Sequence, residues 1–359
     1  MDFRHILNSK KIFLRVILGV LFTLTTCKTF AIQEEKGHLE AKNAEQEAFN
    51  PTTAILEHIA DSHYWHLWGE TSLPLPVIIF TDKGTEYFSA ENFHHGHEAY
   101  QAKYYTYKLI EDKIRVVNAA GEVDKEASSH IYDFSITKNV VALWIAGTLL
   151  FIIFFSVAAA YKKTVGKAPR GLQSLIEPVI LFVRDEIARP NIGYRYQRYM
   201  PILLTIFFFI CINNLMGLIP IFPGGANVTG NILLTFVMAF IVLLVVNFSA
   251  NKYYWKHIFM PPVPVWLYPI MIPVELIGVI SRPFALMIRL YANISAGHII
   301  VLSLISLIFI FKTLWIAPVS IIFVLFMDVL ELLVAFLQAF IFTMLTALFI
   351  GTAVEEHHH

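Results

Sequence analysis

One arginine of this chain lies inside an almost unbroken apolar segment. Arg289 is part of the run PFALMIRLYANISAGHIIVLSLISLIFIF. A guanidinium near the middle of a bilayer-buried helix costs at least about 2.5–3.5 kcal/mol, so something must compensate it. Arginine keeps its proton in proteins, so Arg289 is poorly suited to relay protons. It can instead fix a positive potential and keep a nearby carboxylate ionised.

Other polar or small side chains follow Arg289 on the same apolar segment. Asn293 is one helical turn further along, and Ala296 and Gly297 continue nearly the same face with small side chains. His298 is nine residues beyond Arg289, which places it close to the opposite side of the helix. The two faces of this predicted helix should therefore do different jobs.

A second long apolar segment carries four residues that share one stripe within about 80°, namely Asp328, Glu331, Ala335 and Gln338. Histidine and desolvated carboxylates can titrate near neutral pH, so His298 facing this stripe predicts a hydrated proton path. Glu275 adds one more carboxylate upstream of Arg289.

The alternative is a buried structural ion pair between Arg289 and Glu331 or Asp328, which would specify helix packing. The other polar side chains at membrane depth are more numerous than a single ion pair needs. Intramembrane polar residues in that number usually mark an ion pathway.

The composition predicts a membrane protein. Hydrophobic residues make up 57% of the 359 residues, above the roughly 45–50% of a soluble domain. The formal net charge is zero, so nothing indicates a nucleic acid as partner. Cys27 and Cys211 lie in separate apolar segments and predict no disulfide framework.

Apolar blocks predict an all-α polytopic membrane protein with about five to six membrane helices, the last two long and strongly tilted. The predicted spans cover residues 140–161, 200–222, 232–248, 283–312 and 314–353. The intervening proline-rich segment PPVPVWLYPIMIP predicts a re-entrant or interfacial stretch, because prolines break helix hydrogen bonding.

The N-terminal part has a different composition and predicts two further units. Residues 1–31 resemble a signal peptide; a first membrane helix or a lipoprotein cut before Cys27 are the alternatives. Residues 32–134 predict a small extracytoplasmic soluble domain, α+β or β-hairpin-rich, since PVIIF with TEYF and YTYKLI with IRVVN read as strand pairs. The membrane channel domain is assigned to residues 135–356.

Histidines cluster in the predicted soluble domain, at His58, His63, His66, His94, His95 and His97. Imidazole is a common metal ligand, but this spacing matches no zinc pattern and favours solvated surface side chains. We therefore predict neither a metal nor a cofactor. The terminal residues 357–359 form a histidine tail that carries no inference.

A basic loop follows the first predicted span, with Lys162, Lys163, Lys167, Arg170, Arg184, Arg189, Arg195 and Arg198. The positive-inside rule places this loop in the cytoplasm. The signal peptide independently places the soluble domain outside. The predicted location is the bacterial cytoplasmic (inner) membrane, with the C-terminus cytoplasmic.

Two motifs resemble subunit a of the rotary F-type ATP synthase: SRPFALMIRLYANISAGHII (281–300) and ELLVAFLQAFIFTMLTALFI (331–350). The run FFFICINNLMGLIP (207–220) is similar to the second span of that family. The resemblance begins near residue 136. The soluble domain is larger than the family usually carries.

The resemblance implies roles by position. Arg289 corresponds to the arginine that faces the ring of c subunits and separates two offset half-channels. Asn293 and Gln338 match polar channel residues of the family. Glu275 matches an acidic position that is associated with the cytoplasmic half-channel. His298 and Glu331 occupy a histidine–carboxylate pair with the two identities exchanged relative to the bacterial pattern. Thr229 and Gly230 stand where the family often has an aspartate.

The implied function is a non-catalytic stator subunit that conducts protons to and from the c-ring. Its implied partners are the c-ring proteolipids, b-type peripheral stalk subunits, the F1 sector indirectly, and the lipid bilayer. The chain carries no phosphate-cradling G-x-x-x-x-G-K-[ST] loop, so nucleotide chemistry belongs to other subunits. Two rival classes remain: a secondary transporter, which would show repeated halves, and a membrane scaffold, which would need no titratable pathway.

Overall fold

A computed structural model describes most of the chain beyond residue 50. The described residues are 51–52, 55, 59–68, 71–96, 98–110, 112–118, 121–163, 168–219, 224–261, 263–311, 313 and 315–355. The predicted signal peptide, residues 1–31, and the histidine tail, residues 357–359, lie outside them.

The part between residues 59 and 134, called the strand-rich region below, contains three small antiparallel sheets. The first pairs β1 (Tyr64–Trp68) with β2 (Thr71–Pro74). The second has the order β4-β3-β8, with β3 (Pro76–Thr81), β4 (Gly84–Ser89) and β8 (Tyr132–Asp133). The third has the order β5-β6-β7, with β5 (Tyr100–Gln101), β6 (Thr106–Ile110) and β7 (Lys113–Val116). A 3-10 helix spans Ala90–Gly96, and α1 spans Lys125–Ser129.

Both hairpins predicted from sequence are confirmed, since β3 pairs with β4 and β6 pairs with β7. Alternating residues of these strands face a common core. Val77, Ile79, Phe93 and Tyr107 are fully buried there. The Tyr107 hydroxyl donates a hydrogen bond to the buried carboxylate of Glu86. Burial and this neighbouring carboxylate raise the pKa of Tyr107 above its ordinary range.

The histidines of this region do not converge on a metal site within the described residues. His63 is buried, and its Nε2 lies 3.6 Å from Asp133 Oδ2. Burial opposes ionisation of Asp133, but the nearby imidazole of His63 and hydrogen bonding from Ser135 outweigh it and lower the pKa of this carboxyl. His58, His97 and the side chains of His66 and His95 lie outside the described set.

Helices make up the rest of the described chain. They are α2 (Lys138–Lys163), α3 (Leu172–Phe182), α4 (Arg189–Ile192), α5 (Tyr196–Leu218), α6 (Ile232–Ser249), α7 (Lys252–Phe259), α8 (Tyr268–Phe311) and α9 (Ala317–Val354). A π-helical turn, Val183–Ala188, joins α3 to α4, and 3-10 turns span Gly193–Arg195 and Val265–Leu267. Among the described residues, five helical stretches are long and apolar enough to cross a membrane. The predicted all-α polytopic membrane fold is confirmed.

Helix α8 begins much earlier than the sequence predicts. Among the described residues of the proline-rich segment 261–273, those before Tyr268 are irregular or form the 3-10 turn Val265–Leu267, as predicted. The helix is continuous from Tyr268, ahead of the predicted start at residue 283, and contains Pro273 and Pro283. Because lipid offers no partners to free backbone groups, a continuous helix is favoured there in spite of the prolines. The consequence is that Glu275 and Arg289 lie on one helix.

Helix α9 packs along α5 and α8, and α8 also packs against α6. The core between these helices contains Leu203, Ile210, Leu290, Ala339 and Phe342, all fully buried. The end of α9 is fixed by Asn251, whose side-chain amide donates to the Val354 carbonyl at 2.9 Å. This frame holds the polar residues of α5, α8 and α9 in mutual reach.

Candidate functional site

His298 and Glu331 meet between α8 and α9. His298 Nδ1 lies 3.5 Å from Glu331 Oε1, and the Glu331 side chain is only 6% exposed. Glycine at position 297 creates the space, because an added β-carbon there would stand 2.6 Å from Glu331 Oε1. The structure therefore brings an imidazole and a carboxylate together in a mostly apolar setting.

Asn293 and Gln338 form a second contact between the same helices. The Asn293 amide donates to Gln338 Oε1 at 2.7 Å, and Gln338 is buried. The contact lies about 7 Å from the His298 level along α8, since five residues rise 1.5 Å each. The pairing places a chain of polar groups along the α8–α9 seam.

Arg289 lies on the outer face of α8, where its side chain is exposed. Its neighbours on this face include the small residues Ala285, Ala292 and Ala296, all exposed as well. Within the described residues no carboxylate forms an ion pair with Arg289. The structure thus contradicts the alternative of a buried pair with Glu331 or Asp328.

Glu275 and Asp328 do not join these contacts. Glu275 is half-buried on α8, about 21 Å before Arg289 along the helix axis. Asp328 was predicted to share one stripe with Glu331 and Gln338, but it is exposed whereas those two are buried. The reason is that residues 321–330 of α9 have few neighbours, so this part of the stripe is left uncovered.

Sequence reasoning missed a set of uncharged polar groups beside the histidine–carboxylate pair. On α5, Asn214 accepts a hydrogen bond at 2.8 Å from the hydroxyl of Thr229, and its amide donates at 3.3 Å to the Ala335 carbonyl. Buried polar atoms of Asn213, Asn227 and Ser295 have no hydrogen-bond partner among the described residues. The sequence signal that could have revealed these polar groups is the pair of adjacent asparagines, Asn213 and Asn214, inside an apolar span.

These uncharged groups form a buried polar zone beside the pair. A buried polar atom normally has a partner, and water is the usual one where protein supplies none. Together with His298 and Glu331, the asparagines and hydroxyls outline a polar path that begins near the loop before α6. Arg289 lies on the opposite face of α8 from this path, because nine residues turn the helix by about 180°.

Comparisons with known proteins identify the family of this chain. The ATP synthase A chain family matches residues 140–351, which is more than half of the chain. ATP synthase subunit a of Chloroherpeton thalassium is 48% identical over 233 residues, or 64% of this chain and 69% of that protein. This chain belongs to the F-type ATP synthase subunit a family. Subunit a is a non-catalytic subunit of the membrane sector, and the chain is a multi-pass membrane protein.

The similarity of one subunit a reaches into the strand-rich region. The ATP synthase subunit a of an Anaeromyxobacter species is 37% identical over 337 residues, which cover 90% of this chain and 74% of that protein. Residues 54–134 also match a domain of unknown function, DUF8433. The strand-rich region therefore has relatives of its own, with no assigned role.

Proposed function

We propose that this subunit a provides two half-channels that carry protons to and from a rotating ring of c subunits. Arg289 is the residue that separates them. One half-channel is the polar path around His298 and Glu331, which opens on the extracytoplasmic side. Glu275 belongs to the other half-channel, on the cytoplasmic side. The coupled flow of protons drives ATP synthesis in the F1 sector.

The observation that carries this proposal is the division of α8 into two faces. Arg289 is exposed on one face among small alanines, and the His298–Glu331 pair is covered on the other. An unneutralised guanidinium at membrane depth needs a counter-charge. A carboxylate on a neighbouring ring supplies it, and the alanines allow that helix to approach closely.

The physical steps follow from the cost of burying charge in lipid. A proton that passes His298 and Glu331 neutralises the ring carboxylate, which can then leave Arg289 and enter the lipid at lower cost. A protonated ring carboxyl that returns toward Arg289 releases its proton to the other half-channel and becomes ionised, because the guanidinium favours the charged form. Arg289 also repels a proton that would pass directly between the two.

We further propose a location, an orientation and partners for the chain. The chain lies in the bacterial inner membrane, with the strand-rich region outside and the C-terminus in the cytoplasm. The basic residues between α2 and α5 support this orientation through the positive-inside rule. The c-ring and b-type stalk subunits are its direct partners, and the F1 sector is an indirect one.

The deciding experiment replaces Arg289 by alanine in the complete ATP synthase, assayed in inverted membrane vesicles. We expect loss of ATP-driven proton pumping and of ATP synthesis, with the complex still assembled. Arg282→Ala is the matched control, because it removes an exposed arginine from the same face two turns earlier, and it should keep pumping. Normal pumping by Arg289→Ala would refute the proposal.

A further inference from the structure

The strand-rich region holds the chain just before α6 through one buried tryptophan. Trp65, in β1, is 3% exposed, and its indole Nε1 donates to the Gly224 carbonyl at 3.3 Å. The ring belongs to an apolar cluster with Ala142 of α2 and with Ala226 and Val228. A region without an assigned role thus packs on residues 224–231, called the α5–α6 loop below.

The buried residues of the α5–α6 loop alternate between two environments. Ala226 and Val228 belong to the Trp65 cluster. Asn227 and Thr229, between and after them, are buried polar residues. Thr229 donates to Asn214 of α5 at 2.8 Å. One short loop therefore connects an apolar anchor on one side with the polar path on the other.

The same loop also lies beside His298. A β-carbon added at Gly217 of α5 would stand 3.5 Å from the Ala226 carbonyl oxygen and 3.7 Å from His298 Nε2. The loop backbone and the imidazole therefore share one small space next to this glycine. A shift of Ala226 would therefore change the space next to Gly217 that the imidazole also borders.

Further contacts fix the strand-rich region to the membrane helices. Asp61 accepts hydrogen bonds from the Thr137 hydroxyl at 2.8 Å and from the Asn139 backbone at 3.2 Å, at the start of α2. The Lys138 backbone donates to the Ser62 carbonyl at 3.0 Å. Trp65 is three residues from this attachment, so its ring is presented to the loop by a backbone that α2 already holds.

We propose that the strand-rich region positions the external opening of the proton path, with Trp65 as the positioning residue. Trp65 holds the α5–α6 loop so that the Thr229 hydroxyl keeps its hydrogen bond to Asn214. It also keeps the Ala226 backbone next to the space that His298 borders. This inference rests on the proposed half-channel function, because the opening that Trp65 positions is the entrance of the proposed half-channel.

The test uses the complete ATP synthase with Trp65→Ala, Trp65→Phe and a control, Phe93→Ala. Phe93 is a fully buried aromatic of the same region that lies in a different apolar cluster from the loop. Hydrogen exchange of residues 224–231 is measured by mass spectrometry, and passive proton conduction is measured in membranes stripped of F1. Hydrogen exchange does not depend on what the path conducts.

For Trp65→Ala we expect exchange in the loop to accelerate about tenfold or more, since local opening sets that rate. Proton conduction should fall by about ten- to hundredfold, the order that a misplacement of about 1 Å can cost. Trp65→Phe keeps a ring in the cluster while it loses the indole hydrogen bond, so it should retain most conduction. Phe93→Ala should leave loop exchange unchanged.

A double variant tests the route of the effect. If Trp65 acts through Thr229, adding Thr229→Val to Trp65→Ala should lower conduction no further than the worse single change, whereas independent effects would multiply.

Four results would each overturn the inference. In Trp65→Ala these are unchanged loop exchange, or faster loop exchange with normal conduction. The other two are multiplied effects in the double variant and the same changes in Phe93→Ala. If Trp65→Ala does not assemble, Trp65→Leu, which also removes the ring, takes its place: faster loop exchange supports the inference and unchanged exchange overturns it. Failure of the half-channel proposal shows separately, as pumping by Arg289→Ala.

Discussion

The pairing of His298 with Glu331 depends on the missing side chain at position 297. The two side chains approach to 3.5 Å, and Glu331 fills the space that any larger residue at position 297 would occupy. A buried carboxylate is costly unless it has a partner or water. The exact size of residue 297 therefore sets whether the acid can stay near the imidazole.

Replacing Gly297 by alanine should displace Glu331 from His298 and lower passive proton conduction by about tenfold or more. The reason is that the added β-carbon would stand 2.6 Å from Glu331 Oε1, closer than packed atoms come. Gly147→Ala is the matched control, because Gly147 lies in α2 and no heavy atom stands within 4 Å of its added β-carbon among the described residues. Equal conduction in the two variants would show that the pair is not part of the path.

An exchange of the two titratable residues gives a second test of the pair. His298→Glu alone places two carboxylates against each other, and Glu331→His alone places two imidazoles there, so both single variants should lose ATP-driven pumping. The double variant restores one acid and one base and should regain measurable pumping. Pumping that is no better in the double variant than in the singles would argue against a functional pair.

At the scale of elements, sequence patterns within single segments correctly predicted strands and spans that those segments form by themselves. Strand alternation gave the β3–β4 and β6–β7 hairpins, and apolar length gave the spans that became α2, α6 and α9. The predicted start of α8 was wrong because proline weakens a helix in water, whereas lipid offers no partners to free backbone groups and so favours a continuous helix. The 3.6-residue period correctly put Arg289 and His298 on different faces.

Tertiary packing decided what the sequence did not predict. Asp328 and Glu331 differ by 60° on the helix, and only the helices around α9 determine that one is exposed and the other buried. The contact of Asn214 with Thr229 joins a helix to a loop 15 residues later. No periodic pattern in either segment signals such a contact.

The end of α9 offers a prediction about stability at this scale. A β-carbon at Gly351 would overlap the Asn191 carbonyl oxygen at the end of α4. Gly351→Ala should therefore push α9 from α4 and cost about 1–3 kcal/mol, the usual penalty of overpacking. Thermal unfolding of the detergent-solubilised complex would show a lower transition temperature.

Gly278→Ala is the matched control for that change. Gly278 lies in α8, and no heavy atom stands within 4 Å of the place of its added β-carbon among the described residues. Alanine is also the better helix former. The control should be neutral or slightly stabilising. A loss of stability as large as that of Gly351→Ala would contradict the packing argument.

At the scale of the whole molecule, charge and apolar surface define how the chain sits in a bilayer. The strand-rich region precedes α2 at one end, and the basic residues between α2 and α5 follow at the other. A 26-residue α2 spans about 39 Å, enough to separate these two parts across the hydrocarbon core. The proposed direction of proton flow depends on which part faces outward.

Two exposed tyrosines can report this orientation after replacement by cysteine. Tyr87 of β4 is 73% exposed, and Tyr194, in the basic part, is 72% exposed. In cells with a permeabilised outer membrane, a membrane-impermeant maleimide should label Tyr87→Cys and spare Tyr194→Cys, and inverted vesicles should reverse the pattern. The unsubstituted chain supplies the background, because it contains the same native cysteines, the buried Cys211 and Cys27 of the predicted signal peptide. Labelling of Tyr194→Cys from outside would invert the topology, and the path around His298 would then open to the cytoplasm instead.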